Sequence, residues 1–352
     1  MKRVLFVARN RYRVPLSPSL ALKWDALARV FELRVLASSP DSSTGDQTFR
    51  LRPRSALDGP RFWLSFPARI RREARAFRPD AIVAQSPFEA AAALVARTGV
   101  PVIVELHGDW RTFGRLYGSG ARRAVAQIAD AVGTWAVKRS AKVRAVSAYT
   151  ELLAHEVGRE PAGVFPAFMD LAPFAAEPRR LPEETVALFI GVLEPYKNID
   201  GLAEAWRRAR PAAELRIVGK GTRTDVVASL VRDGLATWQP ELSTDEVVRA
   251  LDEASALILP SRSEGMGRVV IEAQLRGRPV LGANVGGIPD LVTDGLDGKL
   301  FAPEPAAIAE ALEVLGDREE LERLAANART AGERWLVSPD EYAERMRALV
   351  EA

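Results

Sequence analysis

The sequence predicts an α/β protein made of two Rossmann-like, doubly wound parallel-sheet domains. Three observations predict it. The chain has 352 residues, too many for a typical single domain and enough for two. Short apolar strands alternate with longer helical stretches, the rhythm of parallel βα units. That rhythm breaks once, in a proline-rich stretch near the middle, and then restarts.

In the first half the strands are expected at 4–8, 33–37, 81–85, 101–106 and 142–147. A helix is expected over 18–30, with Ser17 placed to cap it and Pro18 at the first helical position, and another over the Ala-rich run 87–97. The second half restarts with strands at 186–192, 214–219, 236–240, 256–261 and 279–283. Between the halves, 165–184 is proline-rich and has no period, which marks a linker with a boundary near 175. Doubly wound sheets bind ligands at the carboxyl ends of their strands, so two such domains facing across a cleft would suit two substrates.

Composition narrows the chemistry. With 47% apolar and 27% charged residues and no low-complexity tract, the chain can bury two cores. Its apolar runs are too short to span a bilayer, and Arg9 interrupts the first one, which reads as a strand and not a signal segment. A cytoplasmic protein is expected. Zero cysteines exclude disulfides and thiolate chemistry, and two separated histidines, His107 and His155, cannot form a histidine-rich metal cluster. The net charge of +3 hides an asymmetry: residues 1–170 hold 27 Lys/Arg against 15 Asp/Glu, and the remainder holds 22 against 31. A basic half suits an anionic partner such as a phospholipid surface, or it reflects nothing more than an arginine-rich composition. Nucleic acid is not expected as a partner, because no zinc finger, RNA-binding signature or basic heptad helix is present.

The most informative segment is 260–292, where a glycine-rich loop directly follows a buried strand and directly precedes a helix. Gly265 and Gly267 allow backbone to approach a ligand. The amides near Met266, Gly267 and Arg268 would open the helix at its positive end, a setting for a diphosphate. Glu264 and Glu272, with seven residues between them, would reach different parts of one ligand, each carboxylate accepting from hydroxyls such as a vicinal diol. Alone, the loop reads equally as an ordinary strand-to-helix turn with solvated glutamates. A second glycine turn at 284–290, expected beside it at the same sheet end, favours the ligand site.

These motifs carry a resemblance. Glu264-Gly-Met-Gly-Arg-Val-Val-Ile-Glu272 followed by Gly-Gly-Ile-Pro-Asp290 resembles the E-x7-E signature and glycine turn of family 4 glycosyltransferases. The resemblance implies the two-domain GT-B fold and a retaining, metal-independent transfer from a nucleotide-diphosphate sugar to an acceptor hydroxyl that the sequence does not name. It implies that Glu264 contacts sugar hydroxyls, that Gly265, Met266, Gly267 and Arg268 hold sugar and diphosphate, and that Glu272 binds the ribose. The run from Gly191 to Asn198 is similar to the family's second motif, with Lys197 neutralising the diphosphate. Val192 stands where many members have an arginine; Arg268 is a candidate replacement or a solvated residue. His107, ending a strand, matches a family histidine that contacts the donor sugar, although a lone histidine is also often structural. Turns at 217–221 and 237–240 resemble the family as well, the backbone of the latter meeting the nucleobase, or else both are plain loop structure.

Departures lie in the first half. The loop after the first strand lacks the family's Gly-Gly pair and carries Arg9, Arg11 and Arg13, which either contact an acceptor phosphate or are solvated. The resemblance implies an acceptor-side domain at 1–174, a donor domain at 175–335 and a C-terminal helix at 336–352 returning to the first. A hydrolysing nucleotide-sugar epimerase and a non-catalytic nucleotide-sugar binder are the alternatives. The stretch 61–78 is a basic amphipathic helix candidate: Phe62, Trp63, Phe66, Ile70 and Phe77 fall within an arc of about 100°, with Arg71, Arg72, Arg75 and Arg78 outside it. It docks on an anionic membrane or packs on the sheet, with Pro67 expected to delay its start.

Overall fold

A computed structural model describes residues 1–53, 58–112, 126–178 and 180–352; Arg179, inside the expected linker, lies outside the described residues. The chain forms two units, Met1–Phe168 with Val337–Ala352, and Met169–Leu336. The passage from one to the other falls at 168–169, where the sequence reading set it near 175. The physical reason is burial: Leu171 and Phe174, from the stretch read as linker, sit in the second unit's core.

The first unit runs β1 (Lys2–Arg11), α1 (Pro18–Val30), β2 (Phe31–Ser38), β3 (Phe49–Arg52), α2 (Asp58–Phe77), β4 (Ala81–Ala84), α3 (Pro87–Val95), β5 (Val102–Leu106), α4 (Ala126–Arg139), β6 (Lys142–Ala145), α5 (Ala148–Glu156) and β7 (Gly163–Val164). Its sheet has the order β3-β2-β1-β4-β5-β6-β7, and its pairings are parallel. The centre of β1, Val4–Ala8, is wholly buried, as a strand covered on both faces must be. The order reverses between β1 and β4, which places a switch point there.

Helix α2 settles which way its aromatic arc faces. Phe62, Phe66, Ile70 and Phe77 are buried in the core beneath the sheet and Trp63 packs against them, while Arg71, Arg72, Arg75 and Arg78 are exposed. The arc is therefore core, not a surface for a bilayer. The helix also runs through Pro67 from Asp58 instead of starting after it. Proline removes one backbone donor, and burial of the rings on either side offsets that loss.

The second unit runs β8 (Val186–Ile190), α6 (Ile199–Ala209), β9 (Glu214–Val218), α7 (Thr224–Arg232), β10 (Thr237–Gln239), α8 (Thr244–Asp252), β11 (Ala256–Leu259), α9 (Arg268–Leu275), β12 (Val280–Ala283), β13 (Gly298–Phe301), α10 (Pro305–Ala311) and α11 (Arg318–Glu333). Its parallel sheet has the order β10-β9-β8-β11-β12-β13, with the switch between β8 and β11. The chain then returns to the first unit as α12 (Pro339–Glu351), which packs on α1. Tyr342, Ala343, Met346 and Leu349 of α12 share a core with Trp24 and Leu27. Lys142 Nζ donates to the carbonyls of Leu349 and Val350 at 2.9 and 3.1 Å, a cation at the helix's negative end. Among the described residues no helix is long and apolar enough to cross a membrane.

Candidate functional site

The second unit's switch point is built from turns that lock together backbone to backbone. After β8, Gly191 N–H donates to Val218 O at 3.0 Å and Leu193 N–H to Lys220 O at 3.0 Å, tying the turn to the one after β9. Gly219, at φ +147°, lies so close that a Cβ there would overlap the Gly191 carbonyl. Trp238 Nε1 donates to Gly219 O at 2.9 Å, so β10 joins the same assembly.

On the other side of the switch, the loop after β11 meets the turn after β12. Gly287 N–H donates to Glu264 O at 3.0 Å. A side chain at Gly286, φ +58°, or at Gly287 would collide with the carbonyls of Glu264 and Gly265. The glycine pair is what lets this turn support the loop from behind. Gly267, at φ +80°, then caps α9 and starts it directly after the loop.

The two sides meet through side chains. Lys197, nearly buried in a short 3-10 turn, donates through Nζ to Glu264 Oε2, and Ser261 Oγ donates to the same oxygen at 3.4 Å. Asn198 follows in the left-handed region that asparagine tolerates. Its amide donates to Pro260 O at 3.0 Å and Pro303 O at 2.8 Å and accepts from Arg262 Nε at 2.9 Å. Lys197 is thus pinned between turns by its neighbour. Sequence reasoning passed over Ser261 and Arg262; their place in the loop was the signal available.

The structure brings Gly191, Lys197, Glu264, Gly265 and Gly267 into one contiguous site. Met266 turns its side chain into the core, leaving only backbone to a ligand. Glu272 is one turn into α9 and buried; burial pushes its carboxyl above the usual range, while Arg268 Nε, donating at 2.5 Å, works against that. Arg268 is therefore engaged by Glu272, and its Nη2 donates to Asp170 O at 3.3 Å. Val192 is exposed, with no cation at that position. Among the described residues no three His, Asp or Glu side chains are grouped to hold a metal ion.

The first unit places its own polar groups at strand ends. His107 follows β5, exposed, with Nε2 3.4 Å from Glu105 Oε2. Glu105 and Arg144, which sequence reasoning missed, form a buried ion pair. At the switch between β1 and β4, Glu89 is also buried, accepting from Arg9 N–H at 3.1 Å and from Ser86 Oγ. Burial pushes its carboxyl up to about 7, against hydrogen bonds from its own backbone N–H and that of Arg9 and against the Arg9 charge.

Two parallel-sheet units of Rossmann order define the GT-B class of fold, and solved structures agree. Sucrose-phosphate synthase from Thermosynechococcus elongatus matches with a TM-score of 0.78 at 16% identity, over 98% of this chain and 97% of that one. HepE from Anabaena in complex with UDP-glucose matches with a TM-score of 0.70 at 20% identity, over 98% and 99%. At such identities the likeness establishes the fold alone. In sequence, residues 174–331 match the family Glycosyl transferases group 1, and residues 24–172 match Glycosyltransferase Family 4. The chain belongs to the family 4, group 1 glycosyltransferases. It is 36% identical over 184 residues to D-inositol 3-phosphate glycosyltransferase of Nocardia farcinica, covering 47% of this chain and 41% of that protein. It is 31% identical over 274 residues to glycogen synthase of Mycobacterium tuberculosis, covering 72% and 64%. The chain thus matches less than two thirds of the length of these relatives.

Gly286→Ala tests the backing of the Glu264 loop. The new Cβ meets backbone that cannot step aside, at a φ that alanine rarely adopts. The substitution is expected to lower stability by roughly 1–3 kcal/mol, and thermal unfolding measures it; an unchanged melting temperature contradicts the packing described.

Proposed function

We propose that this protein is a retaining glycosyltransferase that moves a sugar from a nucleotide-diphosphate donor to an acceptor hydroxyl, without a metal. The observation that carries the reading is Lys197 paired with Glu264 at the second unit's switch point, beside the N-terminus of α9. The names of the relatives and the UDP-glucose complex of HepE support it. In this reading the second unit binds the donor and the first serves the acceptor.

Each group then has a task. Lys197 takes the diphosphate, and amides of Gly265, Met266 and Gly267 add donors at the helix end. Glu264, released from Lys197, accepts from sugar hydroxyls, and Glu272 accepts from the ribose. Positioning and charge stabilisation do the catalytic work. The acceptor oxygen bonds to the anomeric carbon on the face from which the diphosphate departs, the bond to the diphosphate breaks, and the acceptor proton passes to a leaving phosphate oxygen. His107 contributes to turnover from the first unit. A peripheral contact with anionic lipid, if the acceptor is lipid-borne, would use the outward Arg71, Arg72, Arg75 and Arg78 of α2 by charge alone.

Lys197→Ala is expected to weaken nucleoside-diphosphate binding by roughly 1.5–3 kcal/mol, the range for a hydrogen bond to a charged group; calorimetry showing equal affinity moves the diphosphate elsewhere. Sugar transfer is expected to persist in EDTA, and activity lost there and restored by a divalent ion contradicts metal independence. In flotation with anionic vesicles at low salt, wild type is expected to bind and the Arg71→Ser, Arg72→Ser, Arg75→Ser triple variant to bind less. Wild type left unbound refutes the lipid contact.

A further inference from the structure

Glu105 is 2% exposed and stands two residues before His107, so both side chains project to the same side at the carboxyl end of β5. Its two oxygens are divided between two partners. Oε1 accepts from Arg144 Nη1, and Oε2 faces the imidazole Nε2 at 3.4 Å. Arg144 is itself fixed: fully buried, it donates through Nη2 to the carbonyls of Phe165 and Pro166 at 3.1 and 2.6 Å. Its guanidinium lies over the rings of Phe165 and Tyr342, at 4.1 and 5.5 Å. These are residues of the segments by which the chain leaves and re-enters the first unit.

This surrounding keeps Glu105 ionised. Burial opposes its charge, but Arg144, then His107 and Lys23, hold the carboxyl well below the usual carboxylate range. An ionised carboxylate can only accept. A neutral imidazole facing it through Nε2 must therefore present its N–H at that atom.

We propose that Glu105 is a positioning residue that fixes His107 as the Nε2–H tautomer and directs the Nδ1 lone pair away from the cluster, toward a hydrogen-bond donor such as a hydroxyl. Its value to turnover rests on the functional reading of His107 above; the tautomer itself does not. Glutamine at 105 reverses the arrangement. Arg144 has no acceptor, so the amide oxygen turns to it and the amide NH2 faces the imidazole. Nε2 must then accept, and the ring carries its proton on Nδ1.

Long-range proton–nitrogen spectra of the imidazoles at alkaline pH read this directly, because the chain has two histidines and the exposed His155, replaced in His155→Gln, assigns the pair. The expected result is Nε2–H for His107 in wild type and Nδ1–H in Glu105→Gln, with kcat reduced in that variant about as far as in His107→Ala. Wild type showing Nδ1–H or a mixture overturns the proposal without any variant that could misfold. A folded Glu105→Gln that keeps the wild-type pattern overturns it too. An inverted tautomer together with wild-type turnover in His107→Ala upholds the positioning and removes His107 from the functional reading.

Discussion

Close contact of backbone with backbone is the constraint on which the second unit's site depends. Parallel strands end in turns, and turns packed side by side normally keep side chains between them. Here Gly219 lies against the Gly191 carbonyl, and Gly286 and Gly287 lie against the carbonyls of Glu264 and Gly265. With no Cβ in the way, turns from β8 and β9 fuse on one side of the switch point, and turns from β11 and β12 on the other. The lysine and the glutamate that meet across the switch are carried on these rigid turns, not on long loops.

Charge is distributed over the site in two local pairs. Lys197 and Glu264 are both largely buried, so each needs the other or a ligand in its place. Arg268 and Glu272 satisfy one another along α9. Arg268, half-exposed and paired with Glu272, stands at the start of α9, while Lys197 is the cation of the turn after β8. The same economy holds in the first unit, where Arg144 and Glu105 are buried as a pair, while Glu89 is buried with hydrogen bonds and the Arg9 charge nearby.

Much of this was legible in the sequence because its strongest signals are local. Ten strands read as apolar runs fall where strands form, and Gly267, Gly286 and Gly287 announced turns that only glycine can make. The strands missed, β3, β7 and β13, read FRLR, GV and GKLF, with at most two large apolar residues each and so no apolar run to announce them. The arc of α2 could not be assigned to core or surface, since a helix shows which face is apolar and not what covers it. Glu105 and Arg144 were invisible for a similar reason: thirty-nine residues separate them, and only parallel pairing of β5 with β6, in a register that aligns Glu105 with Arg144, brings them together.

The central claim is that the Lys197–Glu264 pair is exchanged for donor contacts at the second unit's switch point. A crystal structure with a nucleotide-diphosphate sugar bound tests it most directly. The account predicts Lys197 Nζ on a diphosphate oxygen and the Glu264 carboxylate on sugar hydroxyls, with the glycine contacts unchanged. A donor bound elsewhere, with Lys197 still on Glu264, would contradict it.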